Sequence, residues 1–192
     1  LPMPKRPLNV VMIIIDSLRR DHMGAYGYHR NTTPNLDRLA ARGTLFENAF
    51  SAYIPTTPAY ASVLTGRDVM GTSVVSLRPK GPLDTDLPTL PEILKEKGYK
   101  SAMVGFGEWY RGFDKYVGYN SWISWDERPA RKAENLNDVT LPLLEEMKDD
   151  PFLLFLRHLD PHSPYLPPPP FDTMFYSKDP CDPSKNSMEG PF

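Results

Sequence analysis

Cysteine is nearly absent: Cys181 stands alone among 192 residues. A lone thiol cannot close an internal disulfide, and with no CxxC or Cys/His cluster there is no structural zinc motif. That usage fits a reducing compartment, so the chain is expected to be cytoplasmic, or secreted if a leader before Leu1 has been removed. Long apolar runs are missing as well; Val10–Ile15 is far too short to cross a bilayer, and no membrane span is expected. Nor does one sign of charge prevail. The 22 basic and 24 acidic side chains leave a net charge of -2, so neither nucleic acid nor an anionic membrane is an expected partner. There is also no internal repeat of fixed period.

What is present is 40% apolar residues, enough for one sizeable core. The 22 prolines crowd into the start, residues 55–91 and the tail after Pro161, where they mark loops. Leu8–Ile15 reads as a strand buried on both faces of a parallel sheet. Thr33 as cap, Pro34, the apolar Leu36, Leu39 and Ala40, and Gly43 as terminator define a short helix. Thr44–Ser51 is a strand or an extended segment. After it a loop leads into a helix with Pro58 in its first turn and Gly66 past its end. Thr89 and Glu92 form a capping box that opens a helix running to Gly98, and Tyr99–Gly105 is a second buried strand. A further helix spans about Asn135 to Lys148, with Pro142 either kinking it or moving its start to Thr140. Phe152–Leu156 is a third buried strand; residues 67–88 and 106–120 read as loops. Strand alternating with helix predicts an α/β fold of three layers with a mostly parallel sheet.

In such sheets ligands gather beyond the carboxyl ends of the strands. Asp16, one step past the first strand, is a candidate metal ligand; its other role is to cap the next turn. Ser17 beside it either caps or supplies a weak oxygen ligand. Thr56 or Thr57 places a hydroxyl over the positive end of a helix, which suits a nucleophile that receives a sulfate or phosphate group. The plainer role is a helix cap. The third strand delivers His158, Asp160 and His162 just past its end. His162 is a candidate donor to an ester oxygen, or else a histidine satisfied among prolines, while His158 is expected to pack or to bond the backbone.

A series of short words now falls into one order. They are Asn9–Asp16 with Ser17-Leu18-Arg19 and Asp21-His22, Gly24-Ala25-Tyr26-Gly27, Thr33-Pro34-Asn35-Leu36-Asp37-Arg38-Leu39-Ala40, and Phe46-Glu47-Asn48-Ala49. Leu64-Thr65-Gly66, Leu90-Pro91-Glu92-Ile93-Leu94, Gly98-Tyr99 and Pro161-His162-Ser163-Pro164-Tyr165 follow. Across residues 9–170 the chain resembles the sulfatase family of the alkaline-phosphatase-like superfamily. The resemblance implies that superfamily's fold and an ester hydrolase in which the acid after the first strand binds a divalent metal that also activates the nucleophile. It marks Asp16, Ser17 and Thr56 as metal ligands, with Thr56 and His162 catalytic. One or two ions are implied, calcium for an oxygen-only site, manganese or zinc for one that includes histidine. The implied substrate is a small-molecule or glycan sulfate or phosphate ester. The family's further ligands, an Asp followed by Asn or His, lie beyond the Pro-His-x-Pro segment and are not in this sequence. Residues 1–170 are therefore expected to be the N-terminal portion of a catalytic domain, incomplete and inactive alone, with 171–192 an irregular tail.

Several positions depart from the family. Its Cys/Ser-x-Pro-Ser-Arg pattern reads Thr56-Thr57-Pro58-Ala59-Tyr60, so formylglycine is not expected and the arginine is a tyrosine. Its Gly-Lys-Trp-His reads Gly105-Phe106-Gly107-Glu108-Trp109-Tyr110, and its adjacent acids read Asp16-Ser17. Threonine at this place resembles the superfamily's phosphodiesterases and phosphotransferases, where unmodified threonine attacks phosphorus. Two functions follow: a metal-dependent hydrolase of sulfate or phosphate esters with Thr56 as nucleophile, or an inactive sulfatase-like binding or structural module.

Overall fold

A computed structural model describes residues 7–76, 86–107, 110–119, 132–163, 165 and 167–175. In chain order its elements are β1 (Val10–Ile15), α1 (Pro34–Ala40), α2 (Thr56–Thr65), α3 (Val69–Thr72), α4 (Leu90–Lys95), β2 (Lys100–Phe106), β3 (Lys115–Gly118), α5 (Ala133–Met147) and β4 (Phe152–His158). The strands form one parallel sheet in the order β1-β4-β2-β3.

Strand alternation sorts the core into two layers. On one face Met103, Leu153 and Phe155 pack with Tyr60 and Leu64 of α2 and with Leu90 and Leu94 of α4; Val10, Met12 and Ile14 of β1 join them. On the other face Ala102, Val104, Leu154 and Leu156 lie under Leu136 and Met147 of α5. The result is helix, sheet, helix.

The boundaries hold where local signals are strong and shift where packing decides. The Thr89 capping box is present, with the Thr89 N–H donating to Glu92 Oε2 at 2.8 Å. β1 is not buried on both faces as its composition predicts. Val11 is 48% and Ile13 56% exposed, because α5 covers β2 and β4 and leaves the outer face of β1 bare. Thr44–Ser51 forms no strand. The span expected as loop at 106–120 contains β3, and 67–88 contains α3, capped by Asp68, which accepts from the Gly71 N–H at 2.9 Å. Helix α5 runs unbroken through Pro142, whose ring lies on the exposed side where water can take the carbonyl it frees. Residues 77–85, Glu108, Trp109, Pro164 and the tail from 176 lie outside the described residues. Among those described, no helix is long and apolar enough to cross a membrane.

One irregularity shapes the site. Ala102 and Val104 face α5, and strict alternation would send Phe106 there too. Instead the register shifts between Val104 and Phe106, with Gly105 at φ 82°. A Cβ on Gly105 would lie 2.3 Å from the Arg157 carbonyl oxygen, so the bulge needs glycine both for its backbone angle and for space. Phe106 thereby turns to the α2 face and stacks on Phe155, ring centroids 4.8 Å apart.

Candidate active site

Asp16 continues the alternation of Val10, Met12 and Ile14, so it emerges on the α2 face; its N–H extends the ladder to the His158 carbonyl at 2.9 Å. Its carboxylate caps no turn. Oδ2 accepts from Arg157 Nε at 3.1 Å and also from Arg157 Nη2, while Oδ1 accepts from Ser17 Oγ at 3.3 Å. Ser17 itself is exposed, with φ 61°.

Arg157 was not among the residues the sequence singled out. It is 4% exposed, with the guanidinium 5.3 Å from the Tyr60 ring centroid and 5.7 Å from that of Phe106. A buried cation needs a counter-charge, and here it has Asp16 and two aromatic faces. The available signal was an arginine closing an otherwise apolar buried strand, a residue type rarely buried unless paired. Burial pushes the Tyr60 phenol well above its usual range, against the opposing pull of Arg157.

Helix α2 begins at Thr56 itself, with Pro55 in the capping position and no side-chain cap. Neither threonine is thus the N-cap. Thr56 is half-buried, whereas Thr57 is 6% exposed and turned inward. The Pro55 carbonyl accepts the Ala59 N–H at 3.2 Å, closing the first turn. Tyr60, one turn after Thr56, touches both Arg157 and Phe106, so the N-terminal half of α2 stands at the carboxyl edge of the sheet beside Asp16.

The remaining strand-end groups separate. His158 and Asp160 belong to the α5 side, where Asp160 Oδ2 accepts the Ala133 N–H at 2.9 Å and caps α5. Burial lowers the His158 pKa, and its Nδ1 is buried with no hydrogen-bond partner among the described residues; burial raises the Asp160 carboxyl. His162 lies in the turn after β4, half-buried, with Nδ1 3.0 Å from the Ser163 carbonyl oxygen. If Nδ1 holds the proton for that bond, Nε2 is an acceptor in the neutral ring and a donor only in the imidazolium. The structure therefore brings Asp16, Ser17 and the Thr56 end of α2 to one face, with His162 in the loop that leaves the same edge.

As donors, Asp16 Oδ1 and the hydroxyls of Ser17 and Thr56 suit a hard divalent cation, and Oδ1 has no partner but Ser17 among the described residues. They are a partial set. No group of three His, Cys, Asp or Glu able to hold a metal ion occurs among the described residues.

The architecture defines a class. It is similar to the phosphonate monoester hydrolase of Agrobacterium radiobacter, with TM-score 0.73 and 24% identity over 87% of this chain and 43% of the other. It also matches a Vibrio parahaemolyticus protein of the alkaline phosphatase superfamily, with TM-score 0.66 and 20% identity over 92% of this chain and 46% of the other. Those likenesses establish an alkaline-phosphatase-like fold. Within that class the chain belongs to the sulfatase family, whose model, described as Sulfatase, matches residues 8–188. Human arylsulfatase A is 37% identical over 111 residues, 56% of this chain and 22% of the relative. Human iduronate 2-sulfatase is 30% identical over 88% of this chain and 38% of its own length. The chain thus spans well under half of these relatives.

Proposed function

We propose that this chain carries the nucleophile end of a metal-dependent hydrolase of sulfate or phosphate esters, with Thr56 as nucleophile. The observation that carries the reading is the position of Thr56: the first residue of α2, half-buried, on the sheet face where Asp16 emerges. The helix N-terminus favours an anionic ester group, and Thr57, turned inward, is the poorer candidate. In the reaction the Thr56 hydroxyl gives its proton to solvent water as Oγ bonds to sulfur or phosphorus. The bond to the ester oxygen breaks as that oxygen gains a proton from the imidazolium of His162. Water then cleaves the bond to Thr56, its oxygen staying on the acid and one of its protons returning to Oγ. His162 takes back from solvent the proton released at the start, so the sum is ester plus water to alcohol plus acid. A divalent cation held by Asp16 and Ser17 would supply positive charge that lowers the hydroxyl pKa. Names such as iduronate 2-sulfatase and N-acetylgalactosamine-6-sulfatase among the relatives favour a glycan sulfate. Unmodified threonine favours a phosphoryl ester.

The test is the full-length protein assayed with aryl sulfate, phosphate diester and phosphonate ester substrates in calcium, manganese and zinc. Thr56→Ala is expected to cost at least about a thousandfold in kcat, the scale of losing a nucleophile. Absence of turnover with every ion, together with absence of metal binding, would favour the inactive module instead.

A further inference from the structure

We propose that Arg157 is a substrate-binding residue whose open guanidinium end receives non-bridging oxygens of the sulfate or phosphate group that Thr56 attacks. The inference rests on the reading of Thr56 as nucleophile. A guanidinium presents its donors in a planar fork, with a side edge and an end edge that each match a pair of oxygens. The side edge, Nε at 3.1 Å and Nη2, is taken up by Asp16 Oδ2. The end edge, Nη1 with the second Nη2 hydrogen, is left over. No described residue accepts from Nη1, yet the atom is not sealed from solvent. Arg157 is 4% exposed, so the opening onto that end is narrow.

The plain alternative is an arginine present only to neutralise Asp16. Stability alone is a poor reason for it, because well-packed apolar residues commonly replace a buried ion pair without loss. The placement favours a ligand. Tyr60, whose ring centroid is 5.3 Å from the guanidinium, stands one turn after Thr56 on α2, and helix positions four apart share a face. That ring, the Phe106 ring at 5.7 Å and the Asp16 carboxylate hold the fork in place. A donor set so fixed needs no reorganisation when charge develops on a reacting oxyanion. Its planar edge matches two oxygens of a tetrahedral anion, as in other arginine pairs with phosphate.

The experiment titrates inorganic phosphate into the full-length protein and its variants by calorimetry at fixed ionic strength, which reads binding without turnover. Arg157→Met removes the fork while keeping apolar bulk beside the rings. It is expected to raise the phosphate Kd about tenfold or more, the scale of losing hydrogen bonds from a charged group. Arg157→Lys keeps the charge that balances Asp16 but has no second edge, and it should raise the Kd by about threefold or more. It decides the matter if Arg157→Met does not fold. A rise under about threefold in either folded variant overturns the proposal, and in Arg157→Lys it would mean that neutralising Asp16 is all this side chain does. Thr56→Ala separates the two layers. If it abolishes turnover while the Arg157 variants bind phosphate as the parent does, Thr56 remains the nucleophile and only the role of Arg157 fails. If Thr56→Ala keeps full turnover, or the parent neither turns over an ester nor binds phosphate, the nucleophile reading fails and takes the proposal with it.

Discussion

Gly105 does the most for its size. Its positive φ turns Phe106 toward α2, and its missing side chain lets the Arg157 carbonyl approach. Gly105→Ala is expected to cost about 1–3 kcal/mol, the range for a strained backbone residue, read as a lower urea midpoint with unchanged slope. A cost under about 0.5 kcal/mol, as for an ordinary surface change, would mean the carbonyl moves aside freely. The sequence marks a glycine there but not the reason for it. The atom that forbids a side chain belongs to a residue far along the chain, and so does the partner of Asp16, 141 positions away. Asp16 and Thr56 were legible because each follows a local signal, a strand end and a helix start. Arg157 was not, since pairing between distant strands leaves no spacing to read.

The elements divide along the same line. Helix α4 announces itself, because Thr89 and Glu92 cap it from within. Helix α5 does not: Lys132 at its N-cap gives the helix no side-chain cap, and the first turn is satisfied by Asp160 from the end of β4. Asp160→Ala should therefore destabilise the fold by about 1 kcal/mol, as loss of a cap does, and Asp160→Asn by less because an amide oxygen still accepts. Burial raises this carboxyl above its ordinary 3.8, so the native state holds the proton more tightly than the unfolded chain. That contribution to stability is full below the ordinary value and fades as pH rises through the raised one. Urea midpoints of the parent and Asp160→Asn, compared from pH 4 upward, should draw apart with that sign; parallel curves would remove Asp160 from the account. The proline inside α5 does not move the helix start to Thr140, for a related reason. Its cost depends on whether the freed carbonyl meets water, which is a matter of which side faces the core.

At the scale of the molecule, the parallel sheet and its helical layers follow from alternating apolar runs, but the bare side of β1 does not. Val11 and Ile13 read as core residues, yet they stand beyond the reach of α5. Such a strip binds apolar probes. The 192-residue chain is expected to enhance anilinonaphthalene sulfonate fluorescence, and Ile13→Lys to reduce it while changing stability by under about 0.5 kcal/mol, as at an exposed position. A loss above about 2 kcal/mol would show that this side chain is packed after all.

The order of strands and helices, the capping of α4, the family and the location of the strand-end acid and helix-start hydroxyl were determined by the sequence alone. All of them arise between residues close in the chain or from the period of the apolar pattern. The tertiary structure alone decided that Arg157 closes on Asp16, that His158 and Asp160 turn to the opposite face, and that one side of β1 is left uncovered. Each depends on which distant segments share a face, and a buried charge reveals its partner only when the strands carrying the two are laid side by side.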